Sequence, residues 1–283
     1  VSNPTWWSNS AESGIVIATA QSIDEVEDTK ILYSGNTVYN NWNFMEFCNT
    51  PLAGSTEDEY GNCDYYTGGI IDGQGLYVTR NNDTYLHGVM RFENNIAFNN
   101  GYGGVVYHKT NRGVLVNNLV FMNGAYPGVT RYSGLTVNTA DELVIANNLV
   151  WAREDNDYAI KNNGNATNVL AVNNFLVGKS QFGTDEENTI IETVDPSLIA
   201  TIFTAVSDLS TIVPTREHDG TDYSPDSIDA FVLGLESDFR PLPQAQEVID
   251  AGIATFAPAT DMNGRDRPQG AAVDIGPFEL PAD

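Results

Sequence analysis

Basic side chains are scarce in this chain, so those that fall together stand out. It has 13 Lys plus Arg and 3 His against 38 Asp plus Glu in 283 residues, a net charge of −25. Four short segments align on Gly75-Leu-Tyr-Val, Gly104-Val-Val-Tyr, Gly134-Leu-Thr-Val and Ala159-Ile-Lys-Asn. Tyr77, Val106, Thr136 and Lys161 then share one outward column. Thr79, His108, Asn138 and Asn163 share the next, and Arg80 and Lys109 follow at the turn. This group has the parts for removing a proton α to a carboxylate. That reaction needs a base, for which Lys109 and His108 are candidates, and cations that stabilise the enolate. Arg80 and Arg131 join the catalytic group as carboxylate clamps, bidentate where well placed. Tyr77, Asn138, Lys161, Arg112 and Tyr102 are candidate substrate contacts. Asp72, Asp83 and Glu93 are candidate ligands for Ca2+, which takes several oxygens. Hydrolysis would instead need two carboxylates, about 5–5.5 Å or 6.5–9.5 Å apart. Asp72, Asp83, Glu93, Asp155 and Asp157 are candidates, although so acidic a chain provides such pairs by chance. The plain alternative for the whole group is a set of solvated turn residues.

These residues must be positioned by a repeat. Ile31-Leu-Tyr-Ser-Gly-Asn36, Met90-Arg-Phe-Glu-Asn-Asn95, Gly113-Val-Leu-Val-Asn-Asn118, Leu143-Val-Ile-Ala-Asn-Asn148 and Val169-Leu-Ala-Val-Asn-Asn174 have one pattern, each followed by apolar residues. Alternating apolar residues mark a strand with one buried face. The repeated Asn marks a bend, because Asn tolerates the left-handed conformation. From Asn95 the spacing is 23, 30 and 26 residues (118 − 95, 148 − 118, 174 − 148), about one coil of a solenoid. The Gly75-type segments provide a second strand per coil. Stacking then places Asn36, Asn95, Asn118, Asn148 and Asn174 in one column, where amides about 4.8 Å apart bond along the stack. The fold expected is an all-β, right-handed parallel β-helix over residues 1–180. Residues 181–283, rich in Pro and Asp, read as an irregular wrapping and capping segment of the same domain.

Insertions fall at about 18–28, 40–69 and 79–87 and could wall the basic face. The second holds Cys48 and Cys63, expected to form a disulfide stabilising by about 3 kcal/mol and implying an oxidising, extracellular compartment. The repeat opens almost at Val1, so this end is expected to meet an earlier segment or another copy. The acidic charge excludes nucleic acid as a partner. No apolar run is long enough for a membrane helix, and no sequence feature calls for an organic cofactor. Asn82-Asp-Thr84 and Asn165-Ala-Thr167 match the glycosylation pattern.

Three stretches carry a family resemblance: Val144-Ile-Ala-Asn-Asn-Leu-Val150, Gly68-Gly-Ile-Ile-Asp-Gly-Gln-Gly75, and Asp261-Met-Asn-Gly-Arg-Asp-Arg-Pro268 with Asp274-Ile-Gly-Pro-Phe-Glu279. They resemble secreted bacterial right-handed β-helix proteins related to pectate-lyase-like polysaccharide-degrading proteins. Asp238-Phe-Arg-Pro-Leu242 and Val248-Ile-Asp-Ala-Gly252 are similar to their closing segment. The resemblance implies a secreted or cell-surface protein acting on a polysaccharide, by lyase chemistry ahead of hydrolysis. The competing expectation is a non-catalytic extracellular structural or adhesive protein.

Overall fold

The computed structural model describes residues 13–41, 73–125, 134–183, 187–211 and 237–281. Its strands stack into a right-handed parallel β-helix. Coil 1 holds β1 (Ile15–Ala18), β2 (Thr29–Ser34) and β3 (Thr37–Tyr39). Coil 2 holds β4 (Leu76–Thr79), β5 (Val89–Glu93) and β6 (Ile96–Phe98). Coil 3 holds β7 (Val105–His108), β8 (Gly113–Val116) and β9 (Leu119–Phe121). Coil 4 holds β10 (Leu135–Asn138), β11 (Asp141–Ala146) and β12 (Leu149–Trp151). Coil 5 holds β13 (Tyr158–Asn162), β14 (Thr167–Val172) and β15 (Phe175–Val177), and a partial sixth coil holds β16 (Lys179–Ser180) and β17 (Thr189–Ile191). Three all-parallel sheets result. Sheet A runs β1-β4-β7-β10-β13-β16, sheet B runs β2-β5-β8-β11-β14, and sheet C runs β3-β6-β9-β12-β15-β17.

Each full coil therefore has three strands, where the sequence pattern suggested two. The Asn pair splits what read as one strand into a sheet B and a sheet C strand. Its two residues do different work. The first, Asn94, Asn117, Asn147 or Asn173, adopts the left-handed conformation, with φ of 53, 52, 53 and 53°. Gly35 takes that place in coil 1, at φ 67°. The bend thus belongs to the residue before the one expected. The second Asn turns inward and forms the ladder. Asn36, Asn95, Asn118, Asn148 and Asn174 each donate through Nδ2 to Oδ1 of the next, at 2.9, 2.9, 2.9, 2.9 and 2.8 Å, and the last acceptor is Asn188. A second ladder, Asn41 to Asn100 to Asn123, stands at the corner between sheets C and A.

Two apolar layers hold the coils. Leu76, Val78, Phe92, Tyr107, Leu115, Leu135, Ile145 and Leu176 fill the interior. The outer face of sheet C is buried as well. Phe98, Phe121, Trp151 and Phe175 pack there against Ile199, Phe203, Phe239, Val248 and Ile275 of the C-terminal segment. That segment contributes a 3-10 turn (Pro196–Leu198), helix α1 (Ile199–Ile202) and the antiparallel pair β18 (Phe203–Val206) and β19 (Ser237–Pro241). It runs along the outer face of sheet C and onto the corner between sheets B and C. There the outward Asn94, Asn117 and Asn147 donate to the carbonyls of Thr260, Asp274 and Ile253, each at 2.8 Å. Asp261-Met-Asn-Gly-Arg-Asp is a turn organised by its first carboxylate, which accepts from the Asn263 and Arg265 amides at 2.8 Å. Arg267 and Glu279, 1% and 0% exposed, form a buried ion pair at 2.7 Å beneath it.

Candidate functional site at the corner between sheets A and B

Strand alternation points Leu76, Val78, Val105 and Tyr107 inward, each at most 1% exposed, and Tyr77, Thr79, Val106 and His108 outward. The expected alignment is the observed register. Tyr77 faces Val106, which faces Thr136, which faces Lys161, and His108 faces Asn138. The outward column differs from expectation in one respect. Val106 and Thr136 are 5% and 2% exposed, so the middle of that column is not open surface. Openness shifts to the corner, where Arg80 and Lys109 are exposed and His108 is half-buried.

His108 ends β7. Its Nδ1 lies 3.0 Å from Thr79 Oγ1 and 3.1 Å from Tyr77 Oη, both on the preceding coil. The Tyr77 and His108 rings are nearly parallel, 4° between planes, with centroids 6.2 Å apart. The other ring nitrogen, Nε2, makes no hydrogen bond among the described residues. Burial, helped by the positive charges of Lys109 and Arg80, pushes the ring down to about 4. His108 is therefore neutral at neutral pH. On the following coil Asn138 is held by a bond from Thr139 Oγ1 at 2.8 Å.

Arg80 and Lys109 occupy equivalent turn positions one coil apart, at φ 57° and 43°. The Asn81 and Asn82 amides both donate to the Lys109 carbonyl, which fixes that stacking. Neither Arg80 nor Lys109 makes a side-chain hydrogen bond or ion pair among the described residues. Most other cations are engaged. Lys30 pairs with Asp24 and Asp28, Arg91 with Glu93, and Arg240 with Asp238. The insertions after β1 and β4 stack beside Arg80. The Ser22 amide donates to the Thr84 carbonyl, and the Leu86 amide to Ser22 Oγ, both at 2.8 Å.

The remaining candidates lie apart from this group. Arg112 is clamped between Glu27 at 2.5 Å and Glu142 at 2.8 Å, so it staples coils together. Tyr102 is buried at the corner between sheets C and A. Lys161, on coil 5, lies 5.4 Å from the centroid of the Tyr158 ring. Asp83 lies in the turn after β4, and Glu93 ends β5. Glu93 accepts from Arg91 Nε at 2.5 Å and Ser34 Oγ at 3.3 Å. Among the described residues no three His, Cys, Asp or Glu side chains converge to hold a metal ion; Asp72, the third member of the expected Ca2+ set, lies outside those residues. Asp72, Arg131, Cys48 and Cys63 lie outside the described residues.

Sequence reasoning missed the Tyr77–Thr79–His108 contact, although the alignment had placed Thr79 and His108 in one column. It also missed the second ladder, for which Asn40-Asn41 and Asn99-Asn100 were the available signal. No protein-family model matches the chain, and no curated protein matches it.

Proposed function

We propose that the protein acts on an acidic polysaccharide outside the cell, as a lyase that breaks the chain by β-elimination at the corner between sheets A and B. One observation carries this reading. A neutral imidazole, His108, stands beside Arg80 and Lys109, which have no carboxylate partner among the described residues of a chain of net charge −25. Like charges on neighbouring strands repel, so two stacked cations without counter-ions favour a ligand that brings the negative charge. A uronate carboxylate between them becomes partly neutralised, which acidifies the proton on the adjacent carbon. Nε2 of His108 takes that proton. The electron pair left on carbon forms the new C=C bond, and the glycosidic C–O bond on the next carbon breaks. The leaving oxygen takes a proton from the Tyr77 hydroxyl, which is restored through its contact with His108 Nδ1. The scheme uses no organic cofactor and routes no step through Ca2+.

A second reading, a non-catalytic structural or adhesive protein, has one observation in its favour. The outward column Leu32-Arg91-Val114-Val144-Leu170 of sheet B is apolar at four of five positions. Its end residues, Leu32 and Leu170, are 55% and 42% exposed, and such patches often mark docking surfaces.

The deciding assay follows the ultraviolet absorbance of unsaturated ends while the protein is incubated with a panel of uronate polysaccharides, with and without Ca2+. Absorbance should rise, and His108→Gln should slow it by about 100-fold or more. No unsaturated product and no new reducing ends on any substrate would sink the lyase reading and favour the adhesive one.

A further inference from the structure

We infer that the corner between sheets A and B binds an oxyanion directly between Arg80 and Lys109, a carboxylate or a sulfate ester on an acidic sugar, and takes up a proton on His108 as it does so. This rests on the corner being the functional site, but not on any bond being broken there. Equivalent turn positions on neighbouring coils set the two backbones about 4.8 Å apart. Two oxygens of one anion can therefore accept from both side chains. Neither cation has another partner among the described residues, whereas Arg112 at the same turn is already held by Glu27 and Glu142.

The proton follows from what surrounds the imidazole. The preceding coil presents Tyr77, Thr79 and Arg80, its own coil Lys109, and the following coil the neutral Asn138. No carboxylate acts on the ring, and both charges that do are positive. An anion seated on Arg80 and Lys109 offsets those charges and adds attraction for an imidazolium. In acid solution Nε2–H then donates to the anion, whereas at neutral pH and above the ring is the free base that elimination requires. The sign follows from linkage. The free ring titrates at about 4 and the occupied ring at a higher pH. Affinity therefore rises as pH falls between those values, by up to about tenfold per pH unit for one proton, and levels off below about 4. A calcium bridge would give neither the proton uptake nor binding in the presence of a chelator.

The test uses the full chain with a chelator present and three unreactive probes: inorganic sulfate, a monomeric uronic acid, and a sulfated neutral sugar. Binding is measured by calorimetry, and the His108 ring by NMR among the 3 histidines. Sulfate should move the His108 titration upward. Arg80→Gln and Lys109→Gln should each weaken binding roughly tenfold. His108→Gln should still bind but lose the pH dependence, which separates the ring from the general loss of negative charge in acid. Binding of the uronic acid alone assigns the carboxylate source, and binding of the sulfated sugar assigns the sulfate source. The inference is overturned if no probe shifts the His108 titration, or if both cation variants bind like the wild type. Elimination by a protein that binds none of the probes would overturn it while leaving the lyase reading in place, and binding without elimination would do the reverse.

Discussion

Two corners of the same coils use one backbone device for different ends. Between sheets B and C, the left-handed turn residue is Asn in coils 2 to 5, followed by a ladder Asn in all six coils. Its outward amides bind the C-terminal segment and its inward amides bind each other. Between sheets A and B, the turn residues are Thr19, Arg80, Lys109 and Thr139, all at positive φ. The inward position there is Ala20, Asn81, Thr110 and Ala140, linked only from the Ala20 amide to Asn81 Oδ1 at 2.8 Å and from Asn81 Nδ2 to Thr110 Oγ1 at 3.0 Å among the described residues. The left-handed conformation costs an ordinary L-residue about 1–2 kcal/mol, and Asn tolerates it best. The first corner is thus chosen for the turn. The second places Arg and Lys where the turn does not favour them and leaves both without partners among the described residues. Similar turns with such different side chains separate what the fold needs from what is kept for another reason.

The largest effect is expected on the structural side of the comparison. Glu279→Gln leaves Arg267 buried without its charge partner beneath the C-terminal segment. It should cost about 3–5 kcal/mol in denaturant unfolding. An unchanged midpoint would mean that the buried pair does not hold the segment.

The ladder comes next. Asn148→Ala removes the acceptor used by the Asn118 amide and Nδ2, and the donor to Leu115, Ala146 and Asn174. Leaving such groups buried should cost about 3 kcal/mol. Asn81→Ala, in the broken ladder of the other corner, should cost about 1–2 kcal/mol. Equal losses would erase the contrast between the corners.

The pH dependence sets the two regions against each other. Burial raises Asp274, in the C-terminal segment, from 3.8 to about 6. Its contribution to stability is complete below 3.8 and lost as pH rises through about 6. The His108 ring is lowered from 6.5 to about 4. Its contribution is complete above 6.5 and lost as pH falls through about 4. Unfolding midpoints measured across this range should lose the first component in Asp274→Asn and the second in His108→Gln. A profile unchanged by either substitution would contradict both assignments.

The sheet A strands were legible because Gly75, Gly104 and Gly134 each open a clean alternation. The sheet C strands were not. Leu119-Val-Phe121 and Leu149-Val-Trp151 are buried on both faces, at most 3% exposed, so no alternation separates them from the strand before. Their second buried face exists because Phe203, Phe239 and Ile275 return from far along the chain, which no local pattern records. The same holds for the site. The columns bearing His108 and Lys109 followed from stacking alone. The capture of Arg112 by Glu27 and Glu142 depends on an insertion and a later coil meeting in space. The burial of Val106 and Thr136 is likewise a tertiary effect.

The smallest expected change in stability is the most informative for function. The double substitution Arg80→Asn and Lys109→Asn gives the corner between sheets A and B the turn residue of the other corner. It should leave the fold intact or stabilise it by up to about 1 kcal/mol per position. The decisive measurement is elimination by this variant on the polysaccharide that the wild type cleaves, taken together with its unfolding midpoint. A protein at least as stable as the wild type that no longer forms unsaturated ends is the predicted result. A variant that cleaves as fast as the wild type would contradict the placement of function at this corner.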